Sequence, residues 1–186
     1  MRKSRQRTGK NVIVLVENEF EDAELVEPIK HLKRAGLSVR LAGPEPAKIY
    51  RGKKGTTVKS DLKPSEVKLN DVDAIIVPGG YAPDKLRLSK PMVNLVKRAD
   101  EQGTIIAAIC HGPQLLISAG IIKDRNVTGW PSIVIDIENA GGKYINQAVV
   151  RDENLITSRR PSDIPQFNKV LLAALGREAA LKKVAA

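Results

Sequence analysis

Cysteine and aromatic residues are scarce in this 186-residue chain. It has one cysteine, and its aromatic residues make up 3% of the sequence, whereas apolar residues of all kinds reach 42%. A single cysteine excludes a disulfide within the chain and any resolving thiol, and it is typical of a reducing compartment. The core must therefore be built mainly from Ile, Val, Leu and Ala, and the length suits one domain.

Long apolar runs are also lacking. The sequence has no stretch of about 18 apolar residues that would span a membrane, and its first residues have no apolar segment of the signal-peptide kind. We therefore expect a protein without a membrane partner that is located in the cytoplasm.

Acidic residues are absent from the first ten positions, MRKSRQRTGK, which carry five basic side chains. Half of the net charge of +10 lies in this stretch. We expect residues 1–10 to form a basic disordered tail that touches polyanions weakly, and residues 11–186 to form one domain. Because no zinc-finger spacing and no aromatic-studded basic sheet accompany the tail, nucleic-acid binding is not expected as the main function.

Strand patterns alternate with helix patterns along the chain. Continuous apolar runs predict buried strands at residues 11–16, 37–42, 73–77 and 104–109, and a closing hairpin is predicted around residues 149–157. Apolar residues at helical spacing follow the first, third and fourth strands and recur after residue 162. Such alternation predicts an α/β domain with a mostly parallel sheet.

The only cysteine, Cys110, stands where the fourth strand turns into a helix. His111, Gly112 and Pro113 follow it directly. A thiol at this corner would lie near a helix N-terminus, which favours the thiolate. Two interpretations are open at this point: a nucleophile elbow with Cys in place of Ser, or a buried structural cysteine.

Three predicted strand ends converge on one crevice. Ligands of open α/β sheets bind beyond the carboxyl ends of the strands, where the strand order reverses. In a flavodoxin-like order these ends carry Glu19, the pair Gly79-Gly80, and Cys110. This convergence of a carboxyl, a bare backbone turn and a thiol favours a functional cysteine.

Each neighbour of the thiol has a chemical use. The amides of Gly79 and Gly80 could form an oxyanion hole, although a plain turn is the alternative. His111 could act as the base if a carboxylate orients it. A buried, protonated Glu19 could donate a hydrogen bond to the sulfur, although an ordinary acid of the first helical turn is the alternative. Trp130 is either a pocket wall or a packing residue of the core.

Several segments resemble a known family at the expected spacing. They are Asn18–Asp22, Val77–Gly80 and Ile109–Gln114, followed by Asp136–Gly141 and Thr157–Arg159 with Pro161. Together they look like the PfpI-type intracellular proteases of the ThiJ/PfpI superfamily, and the similarity covers about residues 11–176.

The resemblance implies a flavodoxin-like three-layer sandwich of the class I glutamine amidotransferase-like type, assembled as dimers or larger rings such as hexamers. It also implies Cys110 as the nucleophile, His111 as its base and Glu19 as the hydrogen-bonding carboxyl. Asp84 stands at the position from which a neighbouring subunit's acidic residue orients the histidine. Tyr81 occupies a variable position that shapes the substrate pocket.

The family's activities require the same thiolate and oxyanion site. We expect chemistry on glyoxal or methylglyoxal and their adducts, of the deglycase or glyoxalase III type, because a pocket walled by Tyr81, Trp130 and a neighbouring subunit favours small carbonyl substrates. Hydrolysis of peptides by a cysteine peptidase, and a redox sensor or chaperone without turnover, stay open as alternatives. No cofactor and no metal ion is expected.

Overall fold

The protein's structure is a computed structural model that describes residues 10–177. The expected basic tail lies outside these residues except for Lys10. The strands are β1 (Asn11–Leu15), β2 (Ser38–Ala42), β3 (Ile49–Arg51), β4 (Thr57–Lys59), β5 (Ala74–Val77), β6 (Ile105–Ile109), β7 (Asn126–Val127), β8 (Lys143–Tyr144), β9 (Val149–Asp152) and β10 (Leu155–Ser158).

Within residues 10–177, six α-helices and four short 3₁₀ turns lie between the strands or after the last one. The helices are α1 (Asp22–Arg34), α2 (Ala82–Leu86), α3 (Lys90–Glu101), α4 (Pro113–Ala119), α5 (Val134–Asn139) and α6 (Ile164–Ala174). The 3₁₀ turns are Pro64–Glu66, Leu69–Asp71, Pro131–Ile133 and Pro161–Asp163. No helix within residues 10–177 is long and apolar enough to cross a membrane.

The central sheet has the order β2-β1-β5-β6-β10-β9. All neighbouring strands are parallel except β9, which pairs antiparallel with β10. The chain order reverses between β1 and β5, and β6 lies next to β5. This arrangement confirms the predicted α/β class, the flavodoxin-like order and the position of the crevice.

Both faces of the sheet are covered, which explains why its inner strands are apolar without interruption. Alternate side chains of β1, β5 and β6 point into two separate apolar clusters. One cluster packs against α3 and α4, and its strand residues include Ile13, Leu15, Ile75, Val77 and Ile106. The other packs against α1 and α6, and its strand residues include Val12, Val14, Ala74, Ile76 and Ala107.

Two local features bear on the site. Between β2 and β5 the chain forms an antiparallel hairpin of β3 and β4, outside the central sheet. The short helix α2, which was not predicted, begins one residue after Tyr81 and has Pro83 in its first turn. Both features place side chains beside the carboxyl end of the sheet.

Candidate active site

Cys110 lies at the sharp turn that the sequence predicts. β6 ends at Ile109 and α4 begins at Pro113, and the backbone of Cys110 has φ 61°, in the left-handed region that residues other than glycine rarely adopt. Its amide donates to the Ser158 carbonyl at 2.9 Å. A Cβ on Gly112 would lie 2.5 Å from the Val77 carbonyl oxygen, so the turn requires a glycine there. This geometry is that of a nucleophile elbow.

The thiol faces a cavity of about 480 Å³ at the carboxyl end of the sheet. Its lining includes Glu24, Gly80, Tyr81, Cys110, His111 and Trp130. The residue Cys110 as a whole is only 6% exposed. The cavity therefore admits a small reagent to the sulfur from one side.

The carboxyl beside the thiol belongs to Glu24, which corrects the prediction of Glu19. The Glu19 side chain is 53% exposed and pairs with Lys85 at 2.5 Å, and it does not line the cavity. Glu24 is fully buried. It projects from α1 on the same side as the buried Pro28 and Leu32, four and eight residues further on. The sequence signal that could have identified Glu24 is its spacing of four and eight residues from two residues on the buried face of the same helix.

Glu24 is placed to hold a proton near neutral pH. Its Oε2 accepts a hydrogen bond from the Gly79 amide at 2.7 Å, while Oε1 is buried and meets no nitrogen or oxygen donor among residues 10–177. Burial raises the pKa of Glu24 from 4.5 to about 7, against the lowering effect of the Gly79 and Cys110 hydrogen bonds. A protonated Oε1 could donate to the sulfur.

The two glycines after β5 have different roles. The Gly79 amide is already bonded to Glu24, so it is not free to stabilise an oxyanion, which corrects that part of the prediction. The Gly80 amide and the His111 amide instead lie beside the Cys110 sulfur, where they favour its ionised form. Gly80 has φ +77°, and a Cβ there would overlap the Glu19 carbonyl and approach the Glu21 nitrogen to 2.5 Å. Two backbone donors therefore converge beside the sulfur.

Its buried position favours the thiol form of Cys110 over the thiolate that a helix start suggested. Burial raises the pKa of Cys110, and the Glu24 carboxyl raises it further. The two amide donors oppose these effects but do not outweigh them. Formation of the thiolate therefore requires a base that takes the proton as a substrate arrives.

His111 is positioned as that base. Its Nδ1 lies 3.4 Å from the Cys110 sulfur and its Nε2 lies 3.3 Å from the Ser132 hydroxyl. Its ring stacks on Trp130, with the ring centroids 5.9 Å apart. Burial, with a contribution from nearby Lys53, lowers the pKa of His111, so the ring is neutral at pH 7 and able to accept a proton.

The remaining predicted residues lie around the mouth of the cavity. Tyr81 is 60% exposed and lines the cavity, and Trp130 is half-buried, lining the cavity and also packing against the core. Asp84 is exposed on α2 and does not line the cavity of its own chain. Sequence reasoning missed Ser132 and Lys53, which both line the cavity from loops that are distant in sequence from Cys110.

Comparison of the chain with known proteins shows its family. The model of the DJ-1/PfpI family matches residues 10–174. The chain is 41% identical to protein/nucleic acid deglycase 2 of Escherichia coli, over 90% of this chain and 99% of that protein. It is 40% identical to the putative cysteine protease YraA of Bacillus subtilis, again over 90% of this chain and 99% of that protein.

Among solved structures, the chain is similar to a two-domain protein from Anabaena variabilis that contains DJ-1/ThiJ/PfpI-like and ferritin-like domains. The TM-score is 0.90 at 40% identity, over 92% of this chain. This chain spans about half of that protein, 49% of its length.

Proposed function

Because the chain belongs to the DJ-1/PfpI family, we propose that it is a cysteine-dependent enzyme that acts on glyoxal or methylglyoxal and their adducts. The observation that supports this most strongly is the grouping of the Cys110 sulfur, the His111 imidazole and the Gly80 and His111 amides in one small cavity. The cavity volume falls in the usual range for small-molecule sites. A relative of 41% identity is named a deglycase.

The proposed reaction begins with addition to an aldehyde. His111 Nδ1 takes the thiol proton, and the sulfur forms a bond to the aldehyde carbon, whose oxygen becomes an alkoxide beside the Gly80 and His111 amides. Protonation of that oxygen gives a hemithioacetal. The two amide donors would stabilise the alkoxide that precedes the hemithioacetal.

The second half of the reaction releases a hydroxy acid. In the methylglyoxal adduct, a proton moves from the former aldehyde carbon to the neighbouring carbonyl carbon through an enediol, which converts the hemithioacetal into a thioester of lactate. His111 is the group within reach that could carry this proton. Water then breaks the C–S bond, releasing lactate and returning the proton to sulfur.

Glu24 supports the same steps from the other side of the sulfur. With its pKa near 7, the carboxyl is about half protonated at pH 7 and largely protonated in mildly acidic solution, and the protonated form can hydrogen-bond a developing thiolate. It lines the same cavity as Cys110 and His111. We assign it a positioning role in place of Glu19.

Asp84 is proposed to complete the site of a neighbouring subunit. It is exposed on α2, a helix that begins directly after the cavity residue Tyr81. Among residues 10–177, Nε2 of His111 meets only the hydroxyl of Ser132, at a long 3.3 Å. A carboxylate from a second subunit would hold the imidazole more firmly and stabilise its protonated form.

Peptide hydrolysis through an acyl-cysteine is the second candidate. The same sulfur and amides would serve it, and a relative of 40% identity is named a putative cysteine protease. The small cavity favours the carbonyl substrate, since a peptide would have to extend over the exposed Tyr81 at its mouth.

Parallel assays of methylglyoxal consumption and casein cleavage would test the proposal, with wild type and Cys110→Ser. We expect wild type to consume methylglyoxal and the variant to lose at least about a hundredfold of that rate. An unchanged unfolding midpoint of the variant would exclude misfolding as the cause. Full activity of Cys110→Ser, or casein cleavage by wild type without aldehyde turnover, would contradict the proposed function.

A further inference from the structure

A group of cations lies along the outer side of α1, next to the edge strand β2. Near its end α1 carries Lys30, Lys33 and Arg34, which are exposed and share one side of the helix because they are three and four residues apart. The exposed Lys59 of β4 lines the same groove as Lys30 and Lys33. We call these four side chains the α1 basic surface.

Few acids compensate the α1 basic surface. Glu27 pairs with one of its lysines, Lys30, at 2.9 Å. Asp61 lines the same groove, and its carboxylate accepts a hydrogen bond from the Leu41 amide at 2.7 Å. Of the four cations, Lys30 alone forms a salt bridge with an acid among residues 10–177. Two acids against four cations leave two positive charges uncompensated.

The basic stretch at residues 1–10 is attached beside this surface. The Ser38 amide, four residues after Arg34, donates to the Lys10 carbonyl at 3.1 Å. Lys10 itself is compensated by Asp73 at 3.3 Å, but the nine residues before it hold four cations and no acid. The surface and this stretch together therefore carry six uncompensated positive charges, or five if Asp71, which precedes β5, is set against them.

The end of a helix explains only part of this charge. Cations in the last turn are stabilised by the helix dipole, which accounts for Lys33 and Arg34. The dipole does not account for Lys59, which lies on a strand, or for the cations before residue 10. A second copy of the chain is a poor occupant, because a symmetric contact would bring like charges together.

The residue types of this surface favour a nucleic acid over a membrane, and paired over unpaired bases. A membrane surface is ordinarily bound through exposed apolar side chains, and residues 1–10 contain only Met1 of that kind. Unpaired bases stack on aromatic side chains, and neither residues 1–10 nor residues 28–44 contain Phe, Tyr or Trp. Contacts of cations with phosphates are sufficient for a duplex. The exposed large hydrophobic residues within residues 10–177 lie elsewhere, at Ile49, Tyr81, Leu88 and Ile135.

We propose that the α1 basic surface and residues 1–10 bind the phosphate backbone of double-stranded nucleic acid without sequence preference. The cavity lies at the other end of α1, where Glu21 and Glu24 line it. A bound duplex therefore leaves Cys110 accessible. This binding goes beyond the proposed function and does not depend on it.

Fluorescence anisotropy of a labelled DNA duplex of about 20 base pairs, with the full chain and NaCl from about 25 to about 200 mM, tests the inference. We expect micromolar dissociation constants at the lowest salt. The logarithm of the dissociation constant should rise with the logarithm of the salt concentration with a slope of about 5, since each neutralised phosphate contributes about 0.9.

The double variant Lys33→Gln/Arg34→Gln should bind about tenfold more weakly at low salt and lower the slope by about 2. The matched control is Lys97→Gln/Arg98→Gln. It removes another exposed Lys-Arg pair near the end of a helix, but α3 packs on the opposite face of the sheet. Its affinity should change less than about threefold, because those charges lie away from the proposed surface. Gln at all four cationic positions before Lys10 should lower the slope by about 3.5.

Absence of duplex binding by wild type at the lowest salt, or a slope near zero, would overturn the inference. An equal loss in the two double variants would do so as well, since it would show an effect of net charge alone. Tighter binding to a single strand of the same length, or to vesicles with about 30% phosphatidylserine at equal phosphate concentration, would also contradict it. Failure of the proposed function is separate, because it would appear in the aldehyde assay, which these measurements do not use.

Discussion

Replacement of Glu24 by Gln should change how the protein's stability depends on pH. In the folded protein burial raises the pKa of this carboxyl from 4.5 to about 7. Between these two values the folded chain keeps a proton that the unfolded chain has lost. The free energy of unfolding therefore falls as pH rises through this window, and the contribution of the protonated carboxyl is complete only below the unfolded-state pKa.

The magnitude follows from the two pKa values. A difference of about 2.5 at 1.36 kcal/mol for each pH unit gives about 3 kcal/mol of stability lost between pH 4 and pH 8.5. Glutamine has the same shape and stays neutral, and its amide oxygen can still accept from Gly79. Glu24→Gln should therefore match wild type at pH 4 and be more stable by about 3 kcal/mol at pH 8.5.

Urea unfolding at both pH values, followed by circular dichroism, would measure this difference. Comparison of variant with wild type cancels the other titrating groups that the two proteins share. Glu19→Gln is the matched control, because Glu19 is half-exposed and pairs with Lys85. It shows whether a change in the pH dependence is specific to the buried carboxyl. A Glu24→Gln difference that stays constant, or that grows toward acid pH, would refute the assignment of a buried protonated carboxyl.

Two further predictions concern assembly and the glycine turn. A mixture of Asp84→Ala and Cys110→Ser subunits, refolded together, should regain activity that neither variant has alone. For a dimer, up to about a quarter of the sites should be active. No recovery in the aldehyde assay, or a strict monomer in sedimentation, would contradict a shared site. Gly80→Ala should lower the free energy of unfolding in urea by about 3 kcal/mol, and Gly55→Ala by about 1 kcal/mol. Both glycines have positive φ, but only a Cβ on Gly80 would meet neighbouring backbone atoms. Equal losses in the two variants would argue against the tight contact.

The framework of the fold was predictable because apolar periodicity reports it directly. Continuous runs such as residues 11–16 and 73–77 belong to strands buried on both faces, and they lie where the pattern predicts. The corner at Cys110 was predictable as well, since an apolar run that meets Cys-His-Gly-Pro has few other conformations. The flavodoxin-like strand order was expected from the resemblance to the ThiJ/PfpI superfamily, because parallel α/β sheets in general adopt more than one order.

The identity of the buried carboxyl was not predictable from the order of strands alone. Glu19 and Glu24 lie in one acidic stretch, and both are close to the end of β1. Only the helical register of α1 separates them, because it turns Glu24 to the side of Pro28 and Leu32 while the turn at Glu19 leaves that side chain half-exposed. The sequence contained this register, but the acids of a first helical turn usually face solvent.

Lys53 and Ser132 reach the cavity through tertiary contacts that no local pattern reports. The hairpin that carries Lys53 is positioned by Asp22 and Phe20, about thirty residues earlier in the chain. Ser132 depends on the turn after Trp130. A few hydrogen bonds to residues far away in the chain position such loops, and a local sequence pattern does not identify those partners.

We propose that the Cys110 sulfur converts an α-oxoaldehyde into a hydroxy acid. Proton NMR of methylglyoxal with wild type and with Cys110→Ser tests this most directly, because it follows the substrate and the lactate product in one sample. We expect lactate in proportion to the methylglyoxal consumed by wild type, and none above the buffer control with Cys110→Ser. Lactate formation at the same rate by both proteins would contradict it.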